Sequence, residues 1–75
     1  MTLGEYRVGV TFNPSGNEMV DQIKSRAAAL IDLIVTINSP EDTFEVTRLK
    51  ELAVTHIEDA AMWAVKAATK PPRTF

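Results

Sequence analysis

The chain has no cysteine and a single histidine. No disulfide can staple it and no thiolate can hold a metal. One imidazole, His56, leaves both metal sites and His-dependent catalysis short of groups. Glycine is scarce: Gly4, Gly9 and Gly16 lack P-loop spacing, and none is directly followed by a Lys-Ser/Thr pair. No apolar run approaches the roughly 20 residues of a membrane span, and no leader of signal-peptide type opens the chain. Neither charge dominates, with 8 Lys+Arg against 10 Asp+Glu and a formal net charge of -2. Binders of DNA or of anionic membranes need a basic face, so both classes are excluded. The expectation is a soluble cytoplasmic protein with no metal, cofactor, DNA or membrane partner.

What is present is apolar surface. The 75 residues are 45% hydrophobic, yet a single domain of this size buries only about 60% of its unfolded surface. With no staple available, the remaining stability is expected from copies of the same chain or from a partner.

Three segments divide the single domain 1–75. In 1–16, Tyr6, Val8, Val10 and Phe12 alternate with Arg7, Gly9 and Thr11, which predicts an extended arm with one apolar face, closed by the turn Asn13-Pro14-Ser15-Gly16. A helix follows over 17–37. Ser15 and Glu18 have capping-box spacing, with Asn17 as the competing cap. Val20, Ile23, Ala27, Leu30, Ile34 and Ile37 step by threes and fours as a coiled-coil-like seam. After Asn38, Ser39 is the expected cap of a second helix over 40–69, with Pro40 at its first position and Glu41 and Asp42 in its first turn. Thr43, Phe44, Val46 and Thr47 are mediocre helix formers that weaken its start. Pro71-Pro72 stop it, leaving a tail over 70–75. The fold class is all-α: an antiparallel two-helix hairpin with an extended N-terminal arm. Ala53, Ala60, Ala61, Ala64, Ala67 and Ala68 allow close helix approach, and two helices cannot bury stripes this wide, so a homo-oligomer is expected.

Catalysis has little to stand on. His56 reads as a structural or surface residue in mid-helix. Glu58 and Asp59 are neighbours pointing about 100° apart, the pattern of a solvated face. Ser15, Ser25 and Ser39 have no local His or Asp partner. The N-terminal basic residues are more informative. Arg7 and Lys24, with Tyr6 beside Arg7, could supply charge to a phosphate and a platform to a base, although packing and solvation explain each residue singly. Trp63 reads as core or interface.

The order Gly4-x-Tyr6-Arg7, Val20-x-x-Ile23-Lys24, Ala29-x-Ile31, Arg48, Ala53-x-Thr55-x-Ile57-x-x-Ala60-x-Met62 and Lys66-Ala67-x-x-Lys70-Pro71 with Thr74-Phe75 resembles the small phage-encoded anti-CBASS proteins that act as cyclic-oligonucleotide sponges. They share a helical hairpin domain with another phage sponge family. The resemblance implies a protein in the cytoplasm of an infected bacterium that binds a defence messenger such as cyclic GMP-AMP without cleaving it. It implies a hexamer, as a trimer of dimers, with dinucleotide pockets between paired protomers and trinucleotide pockets where three meet. It assigns base stacking to Tyr6 and phosphate contact to Lys24, with Arg7 assisting either, and points to Arg48 and Thr55 for the trinucleotide. The segment Val8–Gly16 reads as longer and more extended than in the family.

The rival expectation is a structural module, a helical-hairpin homo-oligomer gripping a protein partner through its Ala-rich face. It explains the apolar stripes equally well but not the grouping of Tyr6, Arg7 and Lys24. A nuclease is disfavoured by the shortage of metal ligands and bases.

Overall fold

The computed structural model describes residues 1–41 and 43–73. Among them are three helices and no strand: α1 at Leu3–Val8, α2 at Glu18–Val35 and α3 at Thr43–Thr69. The all-α class is as expected, but the N-terminal segment is helical where an extended arm was expected. Two local caps overrule the alternating pattern. Thr2 Oγ1 accepts from the Glu5 N–H (3.1 Å) while Glu5 Oε1 accepts from the Thr2 N–H (2.7 Å), a complete capping box. At the other end Gly9 takes the left-handed conformation (φ 66°). The N–H groups of Gly9 and Val10 donate back to the carbonyls of Tyr6 and Glu5 (3.2 and 3.0 Å), which is a Schellman closure.

Gly4 is what lets α1 dock. A Cβ there would lie 2.1 Å from the Ala28 carbonyl oxygen, so only a glycine permits this approach to α2. Its N–H, one of the unpaired donors of a helix start, donates to Asp32 Oδ1 of α2 at 2.7 Å.

Asn17, not Ser15, caps α2: its Oδ1 accepts from the N–H groups of Met19 and Val20 (2.8 and 3.3 Å). Ser15 instead donates its hydroxyl to Asn13 Oδ1. α2 ends at Val35, two residues before the expected Ile37. α3 begins at Thr43, not at Pro40, so Ser39 does not cap it; Asp42 lies outside the described residues, as do Thr74 and Phe75 of the tail. Lys50 Nζ donates to the carbonyls of Val35 and Ile37 (3.0 and 2.8 Å), holding the connecting turn against the early part of α3. At the opposite end Asn17 Nδ2 donates to the Ala68 carbonyl (3.4 Å). α2 and α3 therefore run side by side in opposite directions.

The core is thin. Val20, Ala28, Ile31, Val54 and Ala61 are its buried apolar residues. The buried stripe of α2 runs Val20, Lys24, Ala28, Ile31, so the expected seam is rotated: Val20 belongs to it, Ile23, Ala27 and Ile34 are half-buried, and Leu30 and Ile37 are exposed. Docking of α1 onto Ala28 causes the rotation. The Cα atoms span 56 × 26 × 12 Å. Three helices packed this way enclose little interior, and Leu30, Leu33, Leu49, Leu52, Met62 and Trp63 are all exposed on the single chain.

Candidate functional site

A cavity of about 250 Å³ opens where α1 meets α2 and α3. Its wall is formed by Arg7, Val8, Lys24, Glu58, Ala61, Met62 and Val65. Arg7 reaches it from the last turn of α1 and donates through Nε to Glu58 Oε1 of α3. Both side chains stay partly wet. Glu58 is thus the counter-charge of Arg7 and not only part of a solvated face. The two residues are 51 positions apart, so no local spacing signals the pair.

Lys24 is the unusual member. It is only 7% exposed, in the middle of the buried stripe. Its Nζ donates to the carbonyls of Gly9 (3.0 Å) and Phe12, and lies 5.4 Å from the centre of the Phe12 ring. An ammonium has three donors, and these two acceptors are neutral. Among the described residues the ion pairs are Arg7–Glu58 and Arg48–Glu45; Lys24 is in neither. Taking a charge out of water is costly unless it is paired. Carbonyl dipoles offset part of that cost, and one N–H remains for an anion. With Arg7, Lys24 and Glu58 on the wall, two positive charges face one negative charge. The cavity therefore favours an anionic group.

Tyr6 is 73% exposed and does not line the cavity. Consecutive helical residues diverge by about 100°, so a single chain brings Arg7 and Lys24 together and leaves Tyr6 on the surface. At the far end of the molecule Arg48 is exposed and donates through Nε and Nη2 to the two carboxylate oxygens of Glu45 (2.6 and 2.9 Å). That hydrogen-bonded pairing holds the Glu45 carboxyl below its ordinary value and raises the Arg48 guanidinium. Arg48 borders an open hollow of about 420 Å³ with Thr43, Phe44 and Thr47. Thr55 is exposed seven residues later, on the same helix face but about 10 Å along the axis, and does not line that hollow. His56 is exposed, and Trp63 is 59% exposed with the Lys66 ammonium 5.2 Å from its ring. Sequence reasoning missed the role of Glu58 on the cavity wall and of Phe12 against the Lys24 ammonium; the alternation of the N-terminal segment hid Phe12 as one more apolar position.

The family model described as Acb2/Tad1, hairpin domain, matches residues 5–69. That span holds α2, α3, all but the first two residues of α1, and every candidate site residue. The chain belongs to the Acb2/Tad1 hairpin domain family. This is the anti-CBASS sponge family that the sequence resembles, and its members bind ligands rather than transform them. No curated protein and no solved structure matches the chain. As an Acb2/Tad1 hairpin domain, the chain has among its described residues no helix long and apolar enough to cross a membrane.

Proposed function

We propose that this protein sequesters the cyclic di- and trinucleotide messengers of bacterial CBASS defence on behalf of a phage, in the host cytoplasm, without cleaving them. The observation that carries this reading is the buried Lys24 ammonium, satisfied only by neutral carbonyls and set on a cavity wall beside Arg7. Family membership supplies the ligand class. Lys24 meets a phosphate, Arg7 assists, and Tyr6 stacks on a base; Arg48, with Thr55, serves the trinucleotide at the other end.

Size supports a shared site. A cavity of about 250 Å³ is below the roughly 300–1,000 Å³ that encloses a drug-sized ligand, so one chain can seat a phosphate but not a cyclic dinucleotide. A two-fold dimer presents the same Tyr6 and Lys24 twice around one axis, matching a ligand with two phosphates and two bases. The exposed Leu30, Leu33, Leu52, Met62 and Trp63 are the surface such an assembly covers, in a hexamer built as a trimer of dimers. Two stacked bases at ~1–3 kcal/mol each and two charge-assisted contacts at ~1.5–3 kcal/mol each bring nanomolar affinity, near -12 kcal/mol, within reach. A helical-hairpin module gripping a protein partner accounts for the same exposed apolar residues and leaves Lys24 only the task of tying the Gly9 and Phe12 carbonyls; it gives no reason for that ammonium to stand on a cavity wall beside Arg7.

One experiment separates the readings. The protein is incubated with cyclic GMP-AMP, passed through a desalting column and heat-denatured, and the released nucleotide is chromatographed. Intact nucleotide in stoichiometric amount is the expected result. A degraded product means an enzyme. No retained nucleotide, with cyclic di- and trinucleotides tried in turn, means an interaction module.

A further inference from the structure

Phe12 is 71% exposed, yet the backbone beneath it is held on every side. Its N–H donates to the Gly9 carbonyl at 3.0 Å, and its own carbonyl accepts from the Lys24 ammonium. The next residue, Asn13, is fixed through Nδ2 to the Asn17 carbonyl (2.8 Å) and to Asp21 Oδ1 (2.9 Å). An exposed aromatic ring on a pinned turn is a preorganised surface: little ordering cost remains when something packs on it. The Lys24 ammonium sits over the ring, 5.4 Å from its centre, so one face contacts the cation and the other is open to solvent. The same ammonium stands on the anion-favouring wall with Arg7. Positive charge and an open aromatic face are thus adjacent, the pairing that a phosphate joined through its sugar to a base requires.

We infer that Phe12 is a second nucleobase platform of this site, stacking on a base whose phosphate is held by Lys24. The inference rests on the reading of Lys24 as a phosphate ligand and adds a base contact separate from Tyr6. It gives the turn between α1 and α2 a direct part in choosing the ligand. A purine, with the larger π-face, gains more from this platform than a pyrimidine.

Titration calorimetry with cyclic GMP-AMP tests it on the wild type, Phe12→Leu and Phe12→Trp. Leucine keeps apolar bulk but has no π-face. Phe12→Leu is expected to bind about 10-fold more weakly or worse, since one stacked base is worth roughly 5–150-fold, with unchanged melting temperature and sedimentation. Phe12→Trp is expected to retain affinity. Its new indole should lose emission as nucleotide is added, beyond any change from Trp63 in the wild type. Affinity of Phe12→Leu within about twofold of wild type overturns the inference and leaves the phosphate reading standing. Weak binding by Phe12→Leu together with a loss of assembly also overturns it, by making Phe12 an interface residue. A wild type that binds no cyclic nucleotide overturns both readings.

Discussion

The two ends of this molecule hold their basic residues in different ways. At the α1 end, Lys24 is buried and reaches carbonyls 12 and 15 residues away, while Arg7 pairs with a carboxylate 51 residues away. At the turn between α2 and α3, Arg48 pairs with Glu45 only three residues away on the same helix, in full contact with water. A local pair on an exposed helix depends on nothing beyond its own turn, and such pairs add little to stability. The α1 end is the reverse case: the charges stand where they do because three helices and a turn put them there. A ligand arriving there meets positions already fixed, whereas one arriving at Arg48 must first displace Glu45 and order the side chain.

The sharpest way to break that contrast is to undock α1. Gly4→Ala forces a methyl group to 2.1 Å from the Ala28 carbonyl, and backbone cannot yield as a flexible side chain can. The expected cost is about 3 kcal/mol, the upper range for overpacking. Amides of residues 3–12 should lose protection in hydrogen exchange, while the α2–α3 pair keeps its own. Dinucleotide binding should vanish with them. Unchanged protection over 3–12 would show that α1 tolerates a shift and that Gly4 is not its anchor.

Next comes the charge itself. Lys24→Met keeps much of the buried stem and removes the ammonium. Dinucleotide affinity should fall by about 100-fold or more, as two charge-assisted contacts are lost from a two-fold site. Stability should also fall, by ~1–3 kcal/mol, because the Gly9 and Phe12 carbonyls lose their donor. Sedimentation should be unchanged, since the apolar surfaces proposed for assembly are untouched. Retained affinity would move the phosphate site away from Lys24.

The same contrast governs what could be read from the sequence. The two long helices were legible, because their apolar residues recur at helical spacing and Asn17 and Pro71 punctuate them. Lys24 and Arg7 stood out as charges near an aromatic. What was not legible depended on contacts across the fold. The period-two run from Tyr6 to Phe12 is a fair strand signal, and it lost to a capping box at Thr2–Glu5 and a left-handed Gly9. The rotation of the α2 stripe follows from the docking of α1 onto Ala28, which no helical periodicity contains. Burial of a lysine is the least legible of all, since lysines are almost never fully buried unless paired and its acceptors are main-chain atoms that every sequence has.

The smallest effect is expected at the other end, and it is the control. Arg48→Ala removes the hydrogen bonds that hold the Glu45 carboxyl below 4.5, its ordinary value. A depressed folded-state value stabilises the fold above the ordinary one, and that contribution disappears as pH falls through the depressed value. Both groups are fully exposed, so solvent screens the pair and the melting temperature at neutral pH should not move measurably. The Glu45 side-chain carbon signal in an NMR titration is the sensitive readout: its midpoint should rise in Arg48→Ala. Dinucleotide affinity should be that of the wild type, and a change in trinucleotide affinity alone would assign Arg48 its proposed role. If Arg48→Ala instead weakens dinucleotide binding, the two ends are coupled. The helices between them then transmit a change that the local ion pair gives no reason to expect.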